Sequence, residues 1–62
     1  MMKTIEFTLR SSRAAYDVIM ANLELANRMN QVHSCMYEYD EADEEILFDH
    51  LNANGITDYE TY

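Results

Sequence analysis

The second half of the chain, from Val32 onward, contains nine carboxylates and neither lysine nor arginine. All four basic side chains lie in the first half beside three acids, so the two halves sum to +4 − 3 = +1 and to −9. Self-repulsion opposes the compaction of such a chain, and a surface with this density of one sign cannot neutralise itself. It repels nucleic acid and anionic membranes and attracts cationic surfaces.

The length of 62 residues predicts one domain, residues 1–62, with a small core. A single cysteine, Cys35, allows no internal disulfide and favours a reducing compartment. Apolar content of 48% and the absence of proline argue against disorder. No signal peptide and no apolar run of about 20 residues are present, so we expect a soluble cytoplasmic protein with no membrane partner.

Two early segments have clear periodicity. Residues Thr4 to Arg10 alternate strictly between apolar and polar, which predicts a half-buried strand. Ser11 or Ser12 can cap a helix that then runs from about Arg13 to Met29, with Asn30 as a plausible stop. The helix has one stripe at helical spacing, apolar except at one position: Ala15, Val18, Ile19, Asn22, Leu23, Ala26 and Met29.

The following segment, Gln31 to Tyr39, alternates again and predicts a second strand. One of its faces carries Val32, Ser34 and Met36, and the other carries His33, Cys35, Tyr37 and Tyr39. Neither face is wholly polar, which fits a central strand or an edge that pairs with a partner.

A second helix is predicted after Asp40, which is a good N-cap. Acids crowd its first turns, where the helix dipole favours them, and Asn54-Gly55 closes it. Its inner stripe is Ala42, Ile46, Leu47, His50 and Leu51. Residues Ile56 to Tyr62 give a weaker third strand.

The element order is therefore β-α-β-α-β in a single small domain of the α+β class. A strand–helix–strand crossover makes its two strands parallel. We expect a largely parallel, three-stranded sheet with two helices packed on one face. The partly covered second face, or the sheet edge, would be available for pairing two copies into a homodimer.

The acids of the second helix are spaced so that several lie on neighbouring turns, about 5.4 Å apart. DNA carries one negative charge per about 1.7 Å of axis, both strands counted, so successive phosphates on one strand have a comparable spacing. A helix of this kind, with further acids on the adjoining strands, can imitate a short run of phosphates. The alternative is an acidic surface that serves solubility alone.

Metal and catalytic chemistry are poorly supported. The run from Asp40 to Glu45 has no glycine for a calcium loop, and no CxxC or HxxxH pair accompanies His33, Cys35 and His50. A Cys35–His dyad is conceivable, but a chain of this size leaves little room for a substrate pocket. We expect no metal, no cofactor and no enzymatic activity.

Five tyrosines accompany the acids. Tyr37 and Tyr39 flank Glu38, while Tyr59 and Tyr62 flank Glu60. Tyrosine is enriched at protein interfaces, and rings between carboxylates offer an arginine-rich partner both charge and a stacking surface. Two or three of these rings are equally expected in the core.

The segment MKTIEFTLRSSRAAYDVI, residues 2–19, resembles the strand and first helix of ribbon-helix-helix repressors. That resemblance implies a paired, usually basic strand that reads the major groove. The second helix here opens with four acids instead, and the chain as a whole repels DNA. We therefore do not assign it to that family.

The leading hypothesis is a small acidic inhibitor that binds the cationic nucleic-acid-binding surface of a larger protein. In size and charge it resembles the DNA mimics that phages use against restriction enzymes and CRISPR complexes, in which case it would act in a bacterial host cell. The rival hypothesis is an antitoxin-like or adaptor module that binds through a sheet edge or an apolar face. The partner-binding candidates are Tyr37, Glu38, Tyr39, Asp40, Glu41, Asp43, Glu44, Glu45, Asp49, Asp58 and Glu60.

Overall fold

A computed structural model describes all residues from 1 to 62. It contains four strands and three α-helices, with one 3-10 turn before the last helix. Along the chain these are β1 (Met2–Phe7), α1 (Ser12–Ala21), α2 (Leu23–Asn27), β2 (Asn30–His33), β3 (Met36–Asp40), the 3-10 turn (Glu41–Asp43), α3 (Glu44–Ala53) and β4 (Tyr59–Thr61). The predicted α+β class is confirmed, but the sheet has one more strand than expected.

The sheet has the order β2-β3-β1-β4, and every neighbouring pair is antiparallel. The prediction of a largely parallel, three-stranded sheet is therefore wrong. Each helical crossover does return its strand parallel to the one before it, but another strand lies between the two. This is the order of a split β-α-β, or ferredoxin-like, arrangement. It permits many functions and indicates none by itself.

The extra strand arises because the predicted strand Gln31–Tyr39 is a hairpin that turns at Ser34 and Cys35. The Cys35 N–H donates to His33 Nδ1 at 3.3 Å, and the Cys35 carbonyl accepts from the Phe7 N–H at 2.8 Å. The pairing of β2 with β3 is irregular between Gln31 and His33. Alternation continues across this turn, so the sequence pattern did not reveal the reversal.

The long first helix is interrupted at Asn22, the one polar member of its stripe. Asn22 leaves helical geometry at φ −112° and ψ 87°, and its side chain accepts a hydrogen bond from the Leu25 N–H at 3.2 Å. The Asn22 N–H donates to the Ile19 carbonyl.

The end of α1 is also joined to α3. His50 of α3 contacts the Val18 carbonyl through Nε2 at 2.6 Å. Because a carbonyl only accepts hydrogen bonds, that nitrogen carries the proton.

The end of α3 follows the prediction. Gly55 has φ 80°, its N–H donates to the Asn52 carbonyl, and the Ile56 N–H donates to the Leu51 carbonyl. These two bonds make a Schellman cap, in which the buried Ile56 packs over the last turn. The cap directs the chain back toward the sheet, where β4 pairs with β1.

The core lies between one face of the sheet and the helices. Aromatic rings from three elements meet there edge-on: the Phe7 and Tyr37 centroids are 5.8 Å apart, and those of Phe7 and Tyr59 are 6.0 Å apart. The buried cluster is Ile5, Phe7, Ala15, Ile19, Leu25, Tyr37, Tyr39, Leu47, Leu51 and Ile56. All three helices thus cover the same side of the sheet.

The opposite face of the sheet carries no helix, as the sequence predicted for a face only partly covered. Successive side chains of a strand point to opposite faces. Because Ile5 and Phe7 face the core, Thr4 and Glu6 face outward. This side is called the open face below.

No helix in the structure combines the length and apolar character needed to cross a bilayer.

Candidate anionic interface

Three carboxylates from three different strands lie on the open face. Glu6 of β1 is directly opposite Glu60 of β4. On the other side, Glu6 is directly opposite Met36 of β3, and Glu38, two residues after Met36, is diagonal to Glu6. Thr4 and Tyr62 exchange two backbone hydrogen bonds, and because such pairs alternate along an antiparallel ladder, Glu6–Glu60, two positions further on, is also a hydrogen-bonded pair. Its Cα atoms are therefore about 5.5 Å apart. The diagonal step to Glu38 is about 7–8 Å. Glu6, Glu38 and Glu60 are called the open-face acids below.

Two of the open-face acids accept a hydrogen bond from a neutral donor, and none of the three has a cationic partner. The Tyr62 hydroxyl donates to Glu6 Oε1 at 2.9 Å, and the Asn30 amide donates to Glu38 Oε1 at 3.3 Å. No lysine or arginine forms an ion pair with any of the three. Like charges directly across a strand pair are destabilising. The face therefore holds repulsion that a cationic partner would relieve.

Glu44, a candidate from the acid helix, is neutralised within the fold. Its Oε2 accepts from Lys3 Nζ at 2.7 Å and from the Tyr39 hydroxyl at 2.6 Å. These two donors, Lys3 first, lower the pKa of Glu44 below its ordinary value. Burial, followed by the bond to Glu44, raises the pKa of Tyr39. Glu44 thus stabilises the contact between α3 and β1 and is not free to bind a partner.

Two further partner-binding candidates, Asp43 and Asp40, already have hydrogen-bond or ion-pair partners within the fold. Asp43 Oδ2 accepts from Arg28 Nε at 3.0 Å, and Arg28 contacts Glu24 as well at 3.4 Å. The bond to Asp43 is the main reason that the pKa of Arg28 is raised. Asp40 caps the 3-10 turn through the Ala42 N–H and lies 3.7 Å from the amino group of Met1.

Asp58 connects the loop after β1 to the start of β4. Its two oxygens accept from the hydroxyls of Ser11 and Thr8 at 2.7–2.8 Å. These bonds, with Ser11 the larger contributor, lower the pKa of Asp58. Ser11 is the N-cap of α1, as expected, but its side chain serves Asp58 instead of the helix. A shallow groove of about 440 Å³ opens beside this contact, lined by Glu6, Phe7, Thr8, Asp58, Tyr59 and Glu60.

The remaining candidates, Glu41, Glu45 and Asp49, are exposed and form no ion pair. They are called the helix acids below. Glu45 and Asp49 are one turn apart on α3, which covers the other side of the sheet. The acids of the second half are therefore divided between two surfaces, and Asp43 and Glu44 are matched by cations of the first half.

Two tyrosines lie in the core, where two or three were expected, and they are the two that were named as partner-binding candidates. Tyr37 is 4% exposed and Tyr39 is 0% exposed, because both face the helices opposite Ile5 and Lys3. They belong to the core and cannot serve as surface anchors, which is a correction to the candidate set. Tyr62, at 60% exposure, is the tyrosine that accompanies the open-face acids.

Glu6 is the open-face residue that the sequence-based candidate set left out. It comes from the first half, where the charge balance hides it, and only strand pairing brings it beside Glu38 and Glu60. Its outward position in an alternating strand was the available signal.

No group of three or more histidine, cysteine, aspartate or glutamate side chains is arranged to hold a metal ion. The only cysteine, Cys35, is buried and unpaired in the hairpin turn. The open-face acids and the helix acids can attract cationic groups electrostatically. Comparison of the chain with protein-family models, curated proteins and solved structures gives no match.

Proposed function

We propose that this protein is a small acidic inhibitor that binds the cationic nucleic-acid-binding surface of a larger protein. The observation that carries the proposal is the pair Glu6–Glu60, with Glu38 on the neighbouring strand, and none of the three forms an ion pair with a cation of the chain. A sheet gains nothing in stability from this placement, because like charges directly opposite each other on paired strands are destabilising. A partner's arginines or lysines convert the same placement into attraction.

The proposed mimicry concerns the sign and spread of charge. The open-face acids are three in number, and their Cα atoms are about 5.5–8 Å apart. The face therefore shares the sign of a DNA backbone but does not reproduce each of its phosphates. It presents acidic charge on a sheet, which has few internal degrees of freedom, so little ordering entropy is lost on binding. Inhibition would be competitive, because nucleic acid and this face would occupy the same cationic surface.

The experiment compares two triple variants that have the same net charge. One removes the open-face acids (Glu6→Gln, Glu38→Gln, Glu60→Gln), and the other removes the helix acids (Glu41→Gln, Glu45→Gln, Asp49→Asn). Each changes the net charge from −8 to −8 + 3 = −5, so only the position of the lost charge differs. Wild-type protein and both variants are immobilised, exposed to bacterial lysate and eluted with a salt gradient, and the captured proteins are identified by mass.

We expect the wild type and the helix-acid variant to capture the same nucleic-acid-binding protein, released at modest salt because exposed ion pairs are screened. In solution, the wild type and the helix-acid variant should displace a labelled duplex from that target. The open-face variant should neither capture the target nor displace the duplex. Full activity of the open-face variant would contradict the proposal. Loss confined to the helix-acid variant would move the working face to α3.

A second candidate function is supported by exposed apolar side chains on the helices. Tyr16 and Met20 are one turn apart on α1 and are 39% and 41% exposed, and Leu23, the first residue of α2, is 62% exposed. Exposed apolar side chains on helices can serve as docking surfaces for protein partners. If the chain is an adaptor or antitoxin-like module, the variant Tyr16→Gln, Met20→Gln, Leu23→Gln should lose its partner while both charge variants keep it.

A further inference from the structure

The outer edge of β4 offers backbone groups that nothing in the fold uses. Thr4 and Tyr62 exchange two backbone hydrogen bonds at 2.7 and 2.9 Å. Antiparallel pairing alternates, so Glu60 also points its N–H and C=O toward β1, while Tyr59 and Thr61 point theirs away. Because β4 is the last strand of the sheet, those outward groups have no partner strand.

This edge is held in place by the core. The Tyr59 hydroxyl donates to Asn52 Oδ1 at 3.0 Å, and its ring lies 5.3 Å from Phe48 and 6.0 Å from Phe7, measured between centroids. Strand addition to a fixed edge loses less conformational entropy than addition to a mobile one. The edge is therefore prepared for a further strand.

Charge selects which strand can be added. Asp58 lies just before β4, Glu60 lies within it, and Glu6 is on the neighbouring strand. No lysine or arginine lines the groove beside them, and the nearby Arg10 contributes only the smallest of the causes that lower the pKa of Asp58. A second copy of this chain would bring its own Glu60 against the same carboxylates. An extended segment with arginine or lysine side chains would instead gain ion pairs in addition to its backbone hydrogen bonds.

The other edge of the sheet is a poorer template. The pairing of β2 with β3 is irregular between Gln31 and His33, and such bulges disturb the regular spacing of the edge groups. The four residues of β2 also contain no carboxylate. A basic segment therefore has both better geometry and better charge complementarity at β4.

We propose that the cationic partner contributes an extended segment, with arginine or lysine at alternate positions, that pairs with the outer edge of β4 as a fifth strand. This inference rests on the proposed function and specifies how the partner engages it. In the complex the segment's backbone bonds Tyr59 and Thr61. Its basic side chains on the open-face side lie beside Glu60, and one reaches the groove next to Asp58.

The test uses a synthetic peptide of about nine residues that alternates arginine and valine, titrated into isotope-labelled protein. Two further peptides carry N-methyl groups, one on the backbone nitrogens of the arginines and the other on those of the valines. All three have the same charge, but in an added strand only one set of nitrogens faces β4. We expect the amides of Tyr59 and Thr61 to shift and gain protection from exchange, and one N-methylated peptide to bind at least about tenfold more weakly.

Several outcomes would overturn the strand addition. These are equal binding of the two N-methylated peptides, protection at β2 in place of β4, absence of any binding, or protection of Tyr59 and Thr61 by self-association without peptide. The proposed function can survive each of them, because it is tested separately by capture and duplex displacement with the two triple variants. If the open-face variant fails there while the N-methylated peptides bind alike, the inhibitor proposal stands and the edge proposal is wrong.

Discussion

Tyr37 and Tyr39 are two residues apart on the same strand and face the same core, but only one of their hydroxyls has a hydrogen-bond partner. The Tyr39 hydroxyl donates to the Glu44 carboxylate at 2.6 Å. The Tyr37 hydroxyl is buried and has no hydrogen-bond partner. An unmade bond at a buried polar group is costly, whereas a bond to a charged acceptor is among the stronger ones. The tyrosine hydroxyl thus lowers the stability of the fold at position 37 and raises it at position 39.

This contrast predicts opposite effects of the same substitution. Tyr37→Phe removes the unpartnered hydroxyl and should leave the free energy of unfolding unchanged or raise it by about 1 kcal/mol. Tyr39→Phe removes the bond to Glu44 and should lower it by about 1–2 kcal/mol. Urea unfolding of both variants measures the difference, and each serves as the control for the loss of a hydroxyl near a buried ring. A destabilised Tyr37→Phe variant would show that this hydroxyl has a partner in solution.

The two carboxylates with several donors make stability depend on acid. The donors of Glu44 and Asp58 lower the pKa of each below its ordinary value, 4.5 and 3.8 respectively. The unfolded state then binds more protons, so their stabilisation is complete above the ordinary values and is lost as pH falls through the lowered ones. Glu44→Gln should therefore flatten the decline in unfolding free energy that begins as pH approaches 4.5, the ordinary pKa of a glutamate, and continues below it.

Lys3→Gln provides a second arm of this experiment, because it removes the largest cause of the Glu44 shift while keeping the carboxylate. It should flatten the same decline. A Glu44→Gln variant that keeps the wild-type slope would show that the Lys3–Glu44–Tyr39 contact does not set the acid response.

At the level of elements, periodicity identified faces better than it identified strand ends. Ile5 and Phe7 share the buried face, as predicted, and so do Tyr37 and Tyr39. Strand β1 ends at Phe7 and not near Arg10, because the Ser11 N–H donates to the Thr8 carbonyl and closes a turn. Leu9 is consequently 85% exposed although it continues the apolar alternation.

The hairpin could not be read from the sequence, since the turn lacks the Asn-Gly or Asp-Gly signal of tight hairpins. Because the hairpin was not predicted, both the number of strands and the parallel direction of the sheet were predicted wrongly. The sign of the candidate site was predictable from the acid density alone. Its location was not, because the pairing of Glu6 with Glu60 depends on a sheet order that local patterns do not specify.

The cap of α3 gives a clean test of backbone conformation. A Cβ atom placed on Gly55 would meet nothing within 4 Å, so Gly55→Ala adds no clash and changes only the cost of φ +80°. We expect it to lower the free energy of unfolding by about 1 kcal/mol. Gly55→Asn should cost less, because asparagine tolerates the left-handed region better than alanine does. Equal stability of alanine and glycine at this position would contradict the Schellman assignment.

At the level of the whole molecule, the net charge of −8 acts on the free protein and on its complex in opposite directions. Self-repulsion opposes folding and is screened by salt. The midpoint of thermal unfolding of the free protein should therefore rise as sodium chloride increases from low to physiological concentration. Over the same range, affinity for a cationic target should fall. A complex whose affinity is insensitive to salt would favour the exposed apolar residues Tyr16, Met20 and Leu23 as the binding surface.

The position of β1 has a consequence for how the chain acquires its structure. This earliest strand lies in the middle of the sheet, and its neighbours β3 and β4 come much later in the chain, with Ile5 opposite Thr61. Closing loops of that length before any pairing is gained slows folding relative to helical proteins of equal size. During synthesis β1 is made first, and one of its edges has no partner until β3 follows at Met36–Asp40, while the other has none until β4 follows at Tyr59–Thr61.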